Sequence, residues 1–105
     1  MARKYIEEMK ENKDVDGLVE LAEEGESKER AEAVKALGLI ADSDVLSVLV
    51  KRLDDDEKTV RANAVIAVSH IDGKQVKDQI IDMVQDEAWE VRHDTAIAMG
   101  EMKDE

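Results

Sequence analysis

Apolar and small residues in this chain recur at i, i+3, i+4 and i+7, the spacing that gathers side chains onto one helical face. That pattern itself returns. The segment from Lys28 to Ile40 superposes on Thr59 to Ile71 and on Glu90 to Met102, each a step of 31 residues without a gap. Arg30, Arg61 and Arg92 coincide, although the chain holds only five arginines. Ala36, Ala67 and Ala98 coincide as well. Ala33, Ala64 and Thr95 stay small, as do Gly38, Ser69 and Gly100, while Leu37, Val68 and Met99 stay apolar, as do Ile40, Ile71 and Met102. Small residues on such a face let neighbouring helices approach closely, and a fixed period of this length marks a repeat that stacks.

Shorter apolar segments alternate with these. Residues 44–53 and 75–84 match at the same offset, and residues 14–22 are a weaker first copy: Leu18, Leu49 and Ile80 align, then Val19, Val50 and Ile81, then Ala22, Leu53 and Val84. Between the helical stretches fall Gly25 with Ser27, Asp42-Ser43, Asp54 to Asp56, Asp72-Gly73 and Asp86, residue types that cap or stop helices. At the start of the chain Ile6 falls in register with Leu37 and Met9 with Ile40, while Tyr5 replaces the alanine of the later copies. The pattern predicts seven helices, at about 2–11, 14–24, 28–41, 44–54, 58–71, 74–85 and 89–103. They form one all-α domain, 1–105, in units of about 1–25, 26–56, 57–87 and 88–105. No pair buries its apolar face alone, so its neighbours must cover it.

Composition narrows the functions. Fifteen basic against 27 acidic residues give a formal net charge of −12, a field that repels phosphate backbones and anionic lipid. Nucleic acid and membrane surfaces are therefore not expected as partners. A basic protein partner fits that charge, and so does adaptation to a salt-rich cytoplasm. No stretch approaches the roughly 18 apolar residues of a membrane span, and MARKYIEEMK does not read as a signal peptide. Without cysteine, neither disulfides nor thiolate metal ligation is available, and the cytosol is the simplest compartment. Tyr5 and Trp89 are the only aromatics and proline is absent. Small aliphatic side chains suit close-packed helices rather than an aromatic-lined pocket.

The succession Asp55, Val60-Arg61, Ala64, Ala67-Val68-Ser69, repeated as Asp86, Val91-Arg92, Thr95, Ala98-Met99-Gly100, resembles the short HEAT-like repeats, the kind also found in phycobilisome lyases. The resemblance implies a right-handed α-solenoid of stacked antiparallel helix pairs, about three and a half repeats, with first helices on the convex side and second helices lining a concave one. Missing loop prolines, a weak first pair and the unpaired last helix depart from that pattern.

Candidate chemistry is sparse. Deoxyhypusine hydroxylases also resemble this chain, and they hold an iron pair with His-Glu dipeptides at this helix position in several repeats. Here only His93-Asp94 answers, and its counterparts are Ala31-Glu32 and Ala62-Asn63. A di-iron centre needs several convergent imidazoles and carboxylates. His70 lies eight residues beyond the matching position, an axial offset of about 12 Å, which is too far for a shared metal. His93 is expected to be a solvated helix-start histidine. Asp54 to Glu57 lacks the spacing and central glycine of a calcium loop. No Ser-His-Asp set, phosphate loop or zinc spacing is present, so neither catalysis nor a cofactor is expected.

Arg30, Arg61 and Arg92, at the first turn of each helix, are expected to form a structural ladder with inter-repeat acids such as Asp55 and Asp86. Trp89 stands where the earlier copies have Ser27 and Lys58, and reads either as a partner anchor or as cover for the last helix. Second helices should present the columns Asp16, Ser47, Asp78 and Glu20, Lys51, Asp82. Those columns, with Trp89, make the expected partner-binding set of a non-catalytic interaction module or assembly adaptor. The alternatives are an accessory subunit of a chromophore lyase or metal hydroxylase, and homo-oligomerisation through the last helix.

Overall fold

The computed structural model describes residues 2–101, with side chains from Ile6 to Ile71 and from Lys77 to Gly100. The expectations for Tyr5, for Met102 and for the end of the last helix lie outside the described residues. The order is α1 (Ala2–Asn12), α2 (Val15–Glu24), α3 (Ser27–Ile40), α4 (Leu46–Lys51), α5 (Lys58–Ile81) and α6 (Trp89–Glu101). Single 3-10 turns at Ser43–Val45 and Arg52–Asp54 extend α4 at both ends, and another at Asp82–Gln85 follows α5. No strand occurs among the described residues.

Acidic side chains start these helices by accepting from exposed backbone N–H groups. Asp14 accepts from Gly17 N at 3.1 Å, Asp42 from Asp44 N at 2.9 Å, Asp55 from Glu57 N at 3.0 Å and Asp86 from Ala88 N at 2.8 Å. Ser27 is the first residue of α3, not its cap. Glu26 precedes it and closes a capping box with Glu29, whose Oε1 accepts from Glu26 N at 3.0 Å. α3 ends on Ala41, which adopts the left-handed conformation (φ 60°) and donates to Leu37 O at 3.0 Å.

Helical residues run continuously from Lys58 through Ile81. A straight helix of that length would nevertheless put Arg61 and Ile81 about 30 Å apart. The five residues from Ile81 to Asp86 span at most about 18 Å, yet Arg61 and Asp86 are in direct contact at 2.9 Å. The run must therefore fold back on itself, as two helical limbs. The repeat puts the reversal at Asp72-Gly73, one period after Ala41-Asp42.

Equivalent positions share equivalent burial. Ala33, Ala64 and Thr95 are fully buried, as are Leu18, Leu49 and Ile80, and Ala36, Ala67 and Ala98 are nearly so. Thr95 satisfies its hydroxyl by donating to Val91 O at 2.7 Å. Ile6 is buried in the register expected from Leu37. α2 packs on α3, α3 on α5 and α5 on α6, so one apolar core runs the length of the molecule. α3 and α5 approach closely at Gly38, where a Cβ would stand 2.5 Å from the Ala67 Cβ. Burial then fades toward α6. Leu53 is buried but its counterpart Val84 is 40% exposed, and nothing lies within 4 Å of a Cβ built on Gly100.

Candidate functional site

Two guanidinium clamps join consecutive repeats. Arg30 donates from Nε and Nη2 to the two oxygens of Asp55, both at 2.9 Å, and from Nη1 to Gly25 O at 3.0 Å. Arg61 does the same one period later. Its Nε and Nη2 donate to Asp86 at 2.9 and 3.0 Å, and its Nη1 to Asp55 O at 2.8 Å. Each arginine thus ties the loop before its helix to the loop 25 residues ahead (Asp55 follows Arg30, and Asp86 follows Arg61, by that distance). The planar five-donor guanidinium is suited to this; a lysine ammonium has no such fork.

Arg92 repeats half of the arrangement. Its Nη1 donates to Asp86 O at 2.8 Å and to Glu87 O at 3.2 Å, but no carboxylate occupies its Nε/Nη2 fork among the described residues. Arg52, which has no arginine counterpart in the repeat, also joins Asp55 through Nη1 at 3.2 Å. Sequence reasoning missed it. The only available signal was its spacing of three residues from Asp55 on one turn.

Burial by itself would push the Asp55 carboxyl up. The hydrogen bond from Arg30, the Glu57 N–H and the Arg30 charge more than offset it and hold the group below the usual carboxylate range. Asp86 is held low in the same way, by Arg61 and the Ala88 N–H against burial. Arg30 and Arg61 are raised in turn, each chiefly by its hydrogen bond to the paired aspartate. Such shifts arise at functional sites and at structural ion pairs alike. A bidentate ion pair that ties one inter-helix loop to the next has the geometry of a scaffold.

The six column residues lie on the second helices. Asp16 and Glu20 are on α2, Ser47 and Lys51 on α4, Asp78 on α5 and Asp82 in the turn after it; all six are exposed. Trp89 opens α6 with 63% of its surface exposed, and its ring meets His93 edge-on with centroids 6.4 Å apart. His93 and His70 are both exposed, and no three His, Asp or Glu residues come together at metal-holding distance among the described residues. No described helix is long and apolar enough to cross a membrane.

Three hollows lie along α3, toward α1 and α5. Sequence reasoning did not single out this side. The signal was there: Leu39 aligns with His70 and Glu101, so a leucine stands where the scaffold accepts polar residues.

A family profile described as HEAT repeats matches residues 15–100, which takes in α2 through nearly all of α6. No curated protein matches the chain.

Proposed function

The chain belongs to the HEAT repeat family, and on that footing we propose that it is a non-catalytic interaction module, an assembly adaptor that captures a basic protein segment. Its helix pairs stack antiparallel into a right-handed solenoid of the phycobilisome-lyase type, and the second helices line the concave side. Family members commonly mediate protein–protein contact, and the polar chemistry of this chain is spent on holding repeats together.

The observation that carries the reading is the exposure of Asp16 and Glu20 on α2 and of Asp78 on α5 and Asp82 just after it, with Ser47 and Lys51 at the equivalent positions of α4 between them. Four carboxylates in two columns, a pair at each end, suit a lysine- or arginine-rich segment. The work is done in the cytosol, and Trp89 at the end of the array serves as an apolar anchor. The test is calorimetric titration with lysine-rich peptides. Lys51→Glu should tighten binding and Asp16→Lys with Asp82→Lys should weaken it, while added salt weakens every complex. Weaker capture by Lys51→Glu, or stronger capture in salt, overturns the basic partner.

A second reading, self-association through α6, is favoured by the exposure of Ile81, Val84, Trp89 and Ile97 near that end of the core. Light scattering that finds a strict monomer at high concentration removes it.

A further inference from the structure

The net charge of −12 is not spread evenly. Two of the hollows beside α3 meet at Leu39, one of about 170 Å³ toward α5 and one of about 280 Å³ toward α1. Lys10, Lys13 and Lys35 line them, with Ile40 and Ile66 as apolar walls, and no carboxylate lines either one. Leu39 between them is 64% exposed, the most exposed large apolar side chain described. Lys13 and Lys35 make no ion pair among the described residues, whereas Lys10 reaches Glu7 at 3.7 Å. The carboxylates on this side, Glu7, Glu32 and Glu57, line the third hollow, which shares Lys10 and Lys35. Acids therefore line the adjoining hollow, and none lines the two that meet at Leu39.

Stacking does not call for this arrangement. At Leu39 the next copies have His70 and Glu101, and at Lys35 they have Ile66 and Ile97. An exposed leucine ringed by cations departs from the repeat where the scaffold exerts no demand. An apolar groove that carries cations on a strongly acidic protein is complementary to one kind of ligand, an apolar ridge flanked by carboxylates.

We propose that the groove centred on Leu39, between α1, α3 and α5, docks an acidic amphipathic helix of a partner protein. The apolar residues of that helix seat on Leu39 and Ile66, and its carboxylates face Lys10, Lys13 and Lys35. The site lies on first helices and is independent of the acidic columns on the second helices. With both surfaces in use, the chain bridges an acidic and a basic protein segment.

The test is selection of displayed random peptides, about four helical turns long, on the full chain. Enriched peptides should carry leucine or isoleucine at helical spacing with aspartate or glutamate between, and bind more weakly at higher salt. Leu39→Ser and Lys35→Glu should each weaken them about tenfold or more. Lys77→Glu, a matched charge change at another exposed position, should leave them within about twofold. Far-UV circular dichroism checks that each variant is folded. Selected peptides without acidic bias, equal binding by Leu39→Ser, or no enriched peptide at all overturns the proposal. Leu39-dependent binding to phosphatidylserine vesicles in place of peptides would assign the groove to lipid and overturn it too.

Discussion

Replacing Arg61 and Arg92 separately by alanine compares a filled clamp with a half-filled one at equivalent positions. Arg61 loses two charge-assisted bonds to Asp86, at 2.9 and 3.0 Å, and one to Asp55 O at 2.8 Å. Its side chain and that of Asp86 are only 10% and 9% exposed. Breaking a buried pair from one side costs about 3–5 kcal/mol, because the remaining charge is left uncompensated. Asp86 retains the Ala88 N–H and some access to water, so the cost should fall at the low end, about 3 kcal/mol. Arg92 is exposed and bonds only to two carbonyls, so Arg92→Ala should cost about 0.5–1 kcal/mol. The difference of about 2 kcal/mol corresponds to a gap in Tm of roughly 8–16 °C for a domain of this size. Urea melts followed by far-UV circular dichroism measure both variants. A cycle with Asp86→Ala should return a coupling energy of about 2 kcal/mol for Arg61 and near zero for Arg92. Equal destabilisation by Arg61→Ala and Arg92→Ala would refute the clamp.

Asp55 and Asp86 have folded pKa values below their unfolded value of about 3.9. Their contribution is therefore complete above pH of about 5 and is lost as the pH falls through the lower folded values. Acid titration of stability should show that loss, and Asp86→Asn should shrink it. Gly38→Ala should destabilise by about 1–3 kcal/mol, because its methyl group meets Ala67. Gly100→Ala, at the equivalent position with open space, should stabilise by up to about 1 kcal/mol; paired thermal melts decide both. Ala41→Gly relieves a left-handed backbone and should raise stability by roughly 0.5–1 kcal/mol. Added salt should raise Tm by screening the charge of −12, while the buried clamps change little.

The helices were legible because their apolar spacing repeats. The column Ala33, Ala64 and Thr95 stays small in three copies and is buried in all three. Helix ends were less legible. Ser27 has the side chain of a cap, yet Glu26 and Glu29 take that role, since reciprocal bonding satisfies two N–H groups at once. Asp72-Gly73 reads as a stop, and the contact between Arg61 and Asp86 requires a reversal between Arg61 and Ile81, although helical residues are continuous along the run. The conserved spacing of Arg30 and Asp55 could be read from the repeat; its two-toothed geometry, and the entry of Arg52, depended on coordinates. The groove at Leu39 was hidden for the opposite reason. Repeat comparison highlights what the copies share, and Leu39 and Lys35, which give this groove its character, are residues they do not share.

If each unit of 31 residues supplies its neighbour with the dry surface that neighbour lacks, the array should accept another unit in register. The measurement is the thermal unfolding of a chain in which residues 26–56 are duplicated in tandem after Asp56. Helical signal that grows in proportion to length, with a single transition at a higher Tm than the parent, is the predicted result. A lower Tm, or an inserted segment that adds no helix, would contradict the account.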